Sequence, residues 1–327
     1  MTAEQTPHLV VPFASCSGPG WLEAIKKMPP VSLKNLGKLL QGMRLTATDQ
    51  GKAQSLSTPH ERVLARCAGL VSDDALGLID GLIPWAAQQA GDTAGKAWAF
   101  ITPCHWAMGR EHATLTDPSA LELEAWESQI LLSAMQPYFA TEGITLHLAR
   151  PDRWLAEGEV FRDLPTASLD RVLGRNVDAW LPGAKTAPSL RRLQNEMQML
   201  LYTHPINDQR ASNGQRSVNS FWISGTDALG RPFSTLGKST VNSPITPRSL
   251  AQAAFADDWG SYAAAWSELD TGVIAELLAL QRGGTEVRLT LCGESHAQTY
   301  NSARRGVFSG FLSLFAPKPM TNVLEQL

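Results

Sequence analysis

The chain has 327 residues, 43% of them hydrophobic, with a formal net charge of −3, which suffices for one large domain or two ordinary ones. That charge gives no long-range attraction to nucleic acid or anionic lipid. No apolar run reaches the ~20 residues of a membrane span, and the start MTAEQTPHLVVPFAS lacks the basic, then apolar, build of a signal peptide.

Cys16, Cys67, Cys104 and Cys292 are scattered without a CxxC pair, as expected of reduced thiols in a cytoplasmic protein. Ten tryptophans are many; buried indoles need a partner for N–H, so some are expected at polar pockets or an interface.

In chain order, His8 to Phe13 reads as the first strand of a buried sheet, followed by the small-residue loop Ala14–Gly20. A helix is expected near Leu33–Leu40. Thr58-Pro59-His60-Glu61 starts another, with Thr58 as N-cap, Pro59 at the first position and Glu61 three after the cap. A further helix from about 73 to 89 is interrupted at Gly81 and Pro84. Ala97 to Thr102 is a strand, ending in a polar run with Cys104, His105, Arg110, Glu111 and His112. Ser119 to Phe139 is the clearest helix, with an apolar face of Leu121, Leu123, Trp126, Ile130, Leu131 and Met135. Its acidic start (Glu122, Glu124, Glu127) suits the helix dipole.

Strands follow at Ile144–Leu148 and Leu155–Phe161. Leu190 to Leu201 is an amphipathic helix that Pro205 closes, because the residue before a proline is pushed out of the α region. A polar loop with an Asn213-Gly214 turn leads to a strand from Ser217 to Ser224, ended by Gly225. The stretch from Gly225 to Pro247 reads as linker. Asp257 to Leu280 is helical, Glu286 to Cys292 a strand, and the tail from Phe308 to Phe315 apolar. The alternation of strands and helices predicts an α/β fold with a mainly parallel sheet flanked by helices.

The densest polar stretch lies between 204 and 219, where His204, Asn207, Asp208, Arg210, Arg216 and Asn219 fall at a helix end, a loop and a strand start. Two arginines, an imidazole and amides suit a phosphate or carboxylate, since guanidinium is a planar fork of donors. His105 and His112, seven apart, form a second cluster at a strand end.

The string His-Pro-Ile-Asn-Asp-Gln-Arg (204–210), Gly214, Val218-Asn219 and a strand ending in Gly225 resembles a segment of archaeal-type cofactor-independent phosphoglycerate mutases. The whole chain resembles more closely the related RpfE-type regulatory proteins, through PHERVLARCAGL (59–70), DGLIPWAA (80–87), TPCHWAMGREH (102–112), RPDRW (150–154) and LQNEMQMLLYTHPIND (193–208). The resemblance implies an alkaline-phosphatase-like core in degenerate form, spanning 1–98 and 226–327, with a smaller inserted α+β region over 99–225. It also implies two-metal phosphoryl transfer, which needs a carboxylate shell. The first strand of those enzymes ends in D-G-x-G-D, where this chain has Ala14-Ser15-Cys16-Ser17. Their late D-H-S or D-H-G run corresponds to Cys292-Gly293-Glu294-Ser295-His296. Between Phe13 and Gly69 the only aspartate is Asp49.

No cofactor is therefore expected; if a metal were retained (Mn, Zn or Mg), Glu294 and His296 would hold it. The reading that follows is a non-catalytic, regulatory protein binding a small phosphorylated or carboxylated metabolite through His204, Asn207, Arg210, Asn219, His105 and His112. A metal-dependent mutase or phosphotransferase with a rebuilt site is the alternative, and a scaffold for a protein partner the second. In the first reading the cluster is exposed, and Arg210→Ala changes stability by less than ~1 kcal/mol.

Overall fold

The computed structural model describes residues 6–71, 80–92, 94–183, 185–230, 243–302 and 320–327. The strands are β1 (His8–Val11), β2 (Met43–Gln50), β3 (Ala97–Cys104), β4 (Trp106–Met108), β5 (Ala113–Leu115), β6 (Thr145–Arg150), β7 (Arg153–Glu157), β8 (Ser220–Ala228), β9 (Arg288–Cys292) and β10 (His296–Ser302). The helices begin with α1 (Pro19–Lys27), α2 (Lys34–Gln41), α3 (Pro59–Cys67), α4 (Trp85–Ala90), α5 (Ala125–Thr141) and α6 (Leu169–Val172). They continue with α7 (Pro188–Tyr202), α8 (Pro205–Ser212), α9 (Ser249–Phe255), α10 (Trp259–Thr271), α11 (Val273–Arg282) and α12 (Met320–Leu324).

The chain forms two compact units: a terminal unit of Met1–Gln54, Thr58–Ala68 and Thr240–Leu327, and a middle unit of Ser55–Ser57 and Gly69–Ser239. The division falls at 68/69 and 239/240, whereas the sequence reading put it at 98/99 and 225/226.

In the terminal unit the sheet order is β1-β9-β10-β2. β1 pairs with β9 in parallel, as the apolar run HLVV suggests, and Leu9, Val10 and Val11 are fully buried. β9 and β10 form a hairpin, and β10 pairs antiparallel with β2. Its core joins Leu9, Val11, Leu289 and Leu291 to Leu36, Trp266, Ile274 and Leu277 from the helices.

In the middle unit the order is β6-β7-β3-β8, antiparallel throughout, beside a β4–β5 hairpin. The sheet's odd-numbered positions Ala99, Ile101, Phe221 and Ile223 join the core that α5 and α7 supply through Leu131, Met135, Phe139, Leu193 and Met197. The α/β class with helix-flanked sheets holds, but the expected parallel character is confined, among the described strands, to β1 and β9. The physical reason is connection length: β9 reaches β10 through three residues, too few for a crossover.

Several local expectations are corrected. Pro205 begins α8 as well as following α7, because proline suits the first helical position. β8 runs through Gly225 instead of ending there. Gly225 has φ +63°, and a Cβ on it would lie 2.8 Å from the Phe100 ring. Glycine thus lets the strand kink past that ring opposite a register shift in β3. On α5, Trp126 and Ile130 face outward at 45% and 42% exposure, leaving Leu131, Leu132, Met135 and Phe139 as the core stripe. The tail from Phe308 to Phe315, positions 231–242 of the expected linker and positions 73–79 of the expected 73–89 helix lie outside the described residues.

Candidate functional site

The 204–219 stretch is assembled by α8 and the segment leading into β8. His204 is the N-cap of α8, its Nδ1 accepting from the Ile206 amide at 3.2 Å, and burial holds its imidazole below the ordinary pKa. The Asn207 amide donates to the carbonyls of Leu201 (2.7 Å) and Val218 (2.8 Å) and accepts from the Val218 N–H (2.9 Å). It thereby ties α7, α8 and the approach to β8 together. Asn219 acts as a strand surrogate, accepting from the Trp106 N–H at 2.7 Å and donating to its carbonyl at 3.0 Å.

Arg210 is wholly buried. Its Nη1 donates to both carboxylate oxygens of Glu127, at 2.7 and 2.8 Å, its Nε donates to the Arg216 carbonyl at 2.7 Å, and its Nη2 donates to the Leu121 carbonyl. Glu127 also accepts from the Glu124 N–H at 2.9 Å, closing the capping box of α5. One carboxylate therefore starts a helix and holds a guanidinium from a distant segment. The expected exposed binding cluster is corrected: the polar atoms of Asn207, Arg210 and Asn219 are spent on the fold's own backbone and on Glu127.

His105 Nδ1 lies 2.9 Å from the Ser217 carbonyl, so the 102–112 and 204–219 runs do meet, through this contact and through Asn219. His112 is exposed in the β4–β5 turn, and its carbonyl accepts from Gly109 N–H. His105 and His112 are thus separated in role, one half-buried against Ser217 and one in solvent.

Glu294 and His296 belong to the terminal unit, in the β9–β10 turn and at the start of β10. Ser17, just after β1, donates its hydroxyl to Glu294. Asp49 on β2 receives Arg62 Nε at 2.8 Å together with Arg62 Nη2, and Arg66 Nη2 reaches its other oxygen at 2.7 Å. Burial alone would push the Asp49 carboxyl up, but hydrogen bonds and charge from Arg62, then Arg66, hold it below the usual range. Arg62 Nη2 also donates to the Ser295 carbonyl at 3.3 Å.

A pair of divalent ions does not fit this donor set. Glu294 accepts from a hydroxyl, Asp49 is engaged on both oxygens by guanidinium groups, and burial keeps the Cys292 thiol protonated. Among the described residues, no three His, Cys, Asp or Glu side chains are grouped to hold a metal. The sequence reading passed over Ser17 and the Asp49–Arg62–Arg66 cluster. The available signal was a lone aspartate together with two arginines four apart on a well-capped helix.

No family model matches the chain. It is 24% identical over 134 residues to the 2,3-bisphosphoglycerate-independent phosphoglycerate mutase of Methanosarcina barkeri, covering 40% of this chain and 34% of that enzyme. It is 26% identical over 117 residues to the enzyme of the same name from Methanosarcina mazei, covering 35% and 30%. The chain thus spans about a third of the length of the curated relatives it matches. Among solved structures, a cofactor-independent phosphoglycerate mutase from Thermoplasma acidophilum aligns over 98% of this chain and 99% of that one, at 13% identity and a TM-score of 0.37. A Pyrococcus horikoshii protein aligns over 91% and 88%, at 13% identity and a TM-score of 0.44. Over part of its length, then, the chain is distantly similar to the phosphoglycerate mutases that need no bisphosphoglycerate.

Proposed function

We propose that this protein is a phosphoglycerate-mutase-like protein that does not carry out metal-assisted phosphoryl transfer and works by binding, in a regulatory role like that of the RpfE-type proteins its sequence resembles. One observation carries the reading. The run corresponding to the mutases' late ligand motif offers a carboxylate bonded to Ser17, and the one aspartate between Phe13 and Gly69 is held by two arginines. Two-metal transfer needs a carboxylate shell for both ions.

Within the binding reading, a protein partner is favoured over a phosphorylated metabolite seated at 204–219. Arg210 has no outward fork to offer, whereas Met199 and Tyr202 at the end of α7 are 71% and 81% exposed, and Trp126 and Ile130 lie open on α5.

The test is elemental analysis of protein purified without chelator or affinity-column metal, with a phosphoglycerate mutase assay in Mn and a thermal-shift titration with 3-phosphoglycerate. The expected result is sub-stoichiometric metal, no turnover and no shift. Two metal equivalents with turnover would replace this reading by the catalytic one. A shift without turnover would return the ligand to the metabolite class.

A further inference from the structure

We propose that Arg62 and Arg66 have taken over the electrostatic place of a metal, so that Asp49 is the anchor of a cation site filled by the protein's own guanidinium groups. The inference rests on the metal-free reading above and adds what replaced the ions. A divalent cation needs several oxygen anions around it, whereas a guanidinium is satisfied by one carboxylate and a carbonyl in its plane.

The geometry matches the second case. Arg62 and Arg66 are four apart on α3 and point the same way, an arrangement that is repulsive unless an anion lies between them. Asp49 supplies it, one oxygen to each arginine, although Arg62 and Asp49 retain only 7% and 8% of their side-chain exposure. Arg62 then reaches the Ser295 carbonyl, inside the run that corresponds to the mutases' D-H-S motif. The same carbonyl accepts from the Gly51 N–H at 2.9 Å. Space for the guanidinium comes from Gly51, where a Cβ would lie 2.5 Å from Arg62 Nη2 and 2.7 Å from the Ser295 oxygen. The triad therefore joins β2, α3 and the β9–β10 turn, as a bound ion with ligands on all three would.

The experiment uses the full chain and asks which cation the Asp49 site accepts. Arg66 is one-third exposed, so Arg66→Ala opens a gap that solutes can reach. Melting temperatures of wild type, Arg66→Ala and Asp49→Asn/Arg66→Ala are measured with millimolar methylguanidinium, methylammonium, MnCl2 or chelator at matched ionic strength. The expected outcome is a lower melting temperature for Arg66→Ala, partly restored by methylguanidinium and not by methylammonium or Mn, with no restoration in the double variant. Wild type should be indifferent to Mn and to chelator. Restoration by Mn in preference to methylguanidinium would overturn the proposal, as would equal effects of all cations, no recovery with any, or no loss in Arg66→Ala. Should Arg66→Ala not fold, Arg66→Ser, which also leaves the guanidinium's place empty, carries the same comparison. Mutase turnover by wild type would sink the functional reading while leaving a guanidinium-selective rescue standing, so the two failures are distinguishable.

Discussion

Arg210 reads in the sequence as a hand held out to an anion, and in the fold every edge of it is gripped from inside. Its partner Glu127 has 4% side-chain exposure, and neither charge has water to fall back on. Removing one member of a buried pair strands the other, at a cost of about 3–5 kcal/mol, whereas replacing both by apolar groups of similar size is often near neutral. Arg210→Met should lower unfolding free energy by that order in urea, and Arg210→Met/Glu127→Leu should recover much of it. A loss of under ~1 kcal/mol in the single variant would reinstate the exposed-cluster reading. His8 sits on the buried β1, sharing a hydrogen bond with Thr290 Oγ1 at 2.9 Å, and burial, then the charge of Arg288, pushes its imidazole down to about 4 from 6.5. The folded state therefore keeps His8 neutral while the unfolded chain protonates first. That stability is fully present above pH 6.5 and is lost as pH falls towards about 4, a term of at most roughly 3 kcal/mol. His8→Asn should flatten the pH dependence of the melting temperature in that window; a wild-type slope retained in the variant would refute it. The further loss as Asp49 protonates lies lower, below its ordinary 3.8.

At the scale of elements, what the sequence discloses depends on whether the cause is local. The start of α3 was legible because all its determinants lie within four residues: the Thr58 N–H donates to Glu61 at 2.9 Å and Pro59 needs no partner. His204-Pro205 was read from the same kind of signal and came out half right, since a proline that cannot continue α7 is equally suited to open α8. β2 and β10 were missed: HAQTYNS carries no apolar alternation, and although Met43, Leu45 and Ala47 alternate with Arg44, Thr46 and Thr48, β2 is mostly exposed and is a strand through its pairing with β10. The Gly293-Glu294-Ser295 run, beside which a retained metal was expected, is the turn of the β9–β10 hairpin. Helix α5 shows how an edge can be guarded from outside the sheet. The Gln136 amide accepts from Leu146 N–H at 2.7 Å and donates to the Ile144 carbonyl at 3.1 Å, occupying the positions a further strand would take beside β6. Gln136→Ala should cost about 1–3 kcal/mol for the groups left without a partner and raise concentration-dependent light scattering. Gln136→Glu, which keeps the acceptor, should lie between the two. Unchanged scattering in the alanine variant would mean that β6 is protected by something other than this amide.

For the whole molecule, the candidate cluster and the candidate cation site belong to different compact units, each with its own apolar core. The boundaries at 98/99 and 225/226 are those the family resemblance implies, the second beside the Gly- and Ser-rich stretch after Gly225. Compactness follows β3 and β8, whose pairing commits Ala97–Cys104 and Ser220–Ala228 to the same unit. A long-range pairing of that kind leaves no mark in a local window. The division has a measurable consequence. Arg210, Glu127, Asn207 and Val218 all lie within Gly69–Ser239, so the network broken by Arg210→Met is closed inside the middle unit. Hydrogen exchange read by mass spectrometry should show lost protection over α5, α7, α8 and β8 in that variant. Leu9–Val11 and Leu289–Leu291, which pair with each other in the terminal unit, should exchange as in wild type. The reverse experiment should mirror it: Asp49→Asn should loosen β2, α3 and the β9–β10 turn while leaving α5 and β8 protected. If either substitution raised exchange equally across both units, opening would be global, and the two polar networks would be parts of one cooperative structure. If each stays within its own unit, the 204–219 stretch is a self-contained structural knot, and the two polar networks stabilise the two units separately.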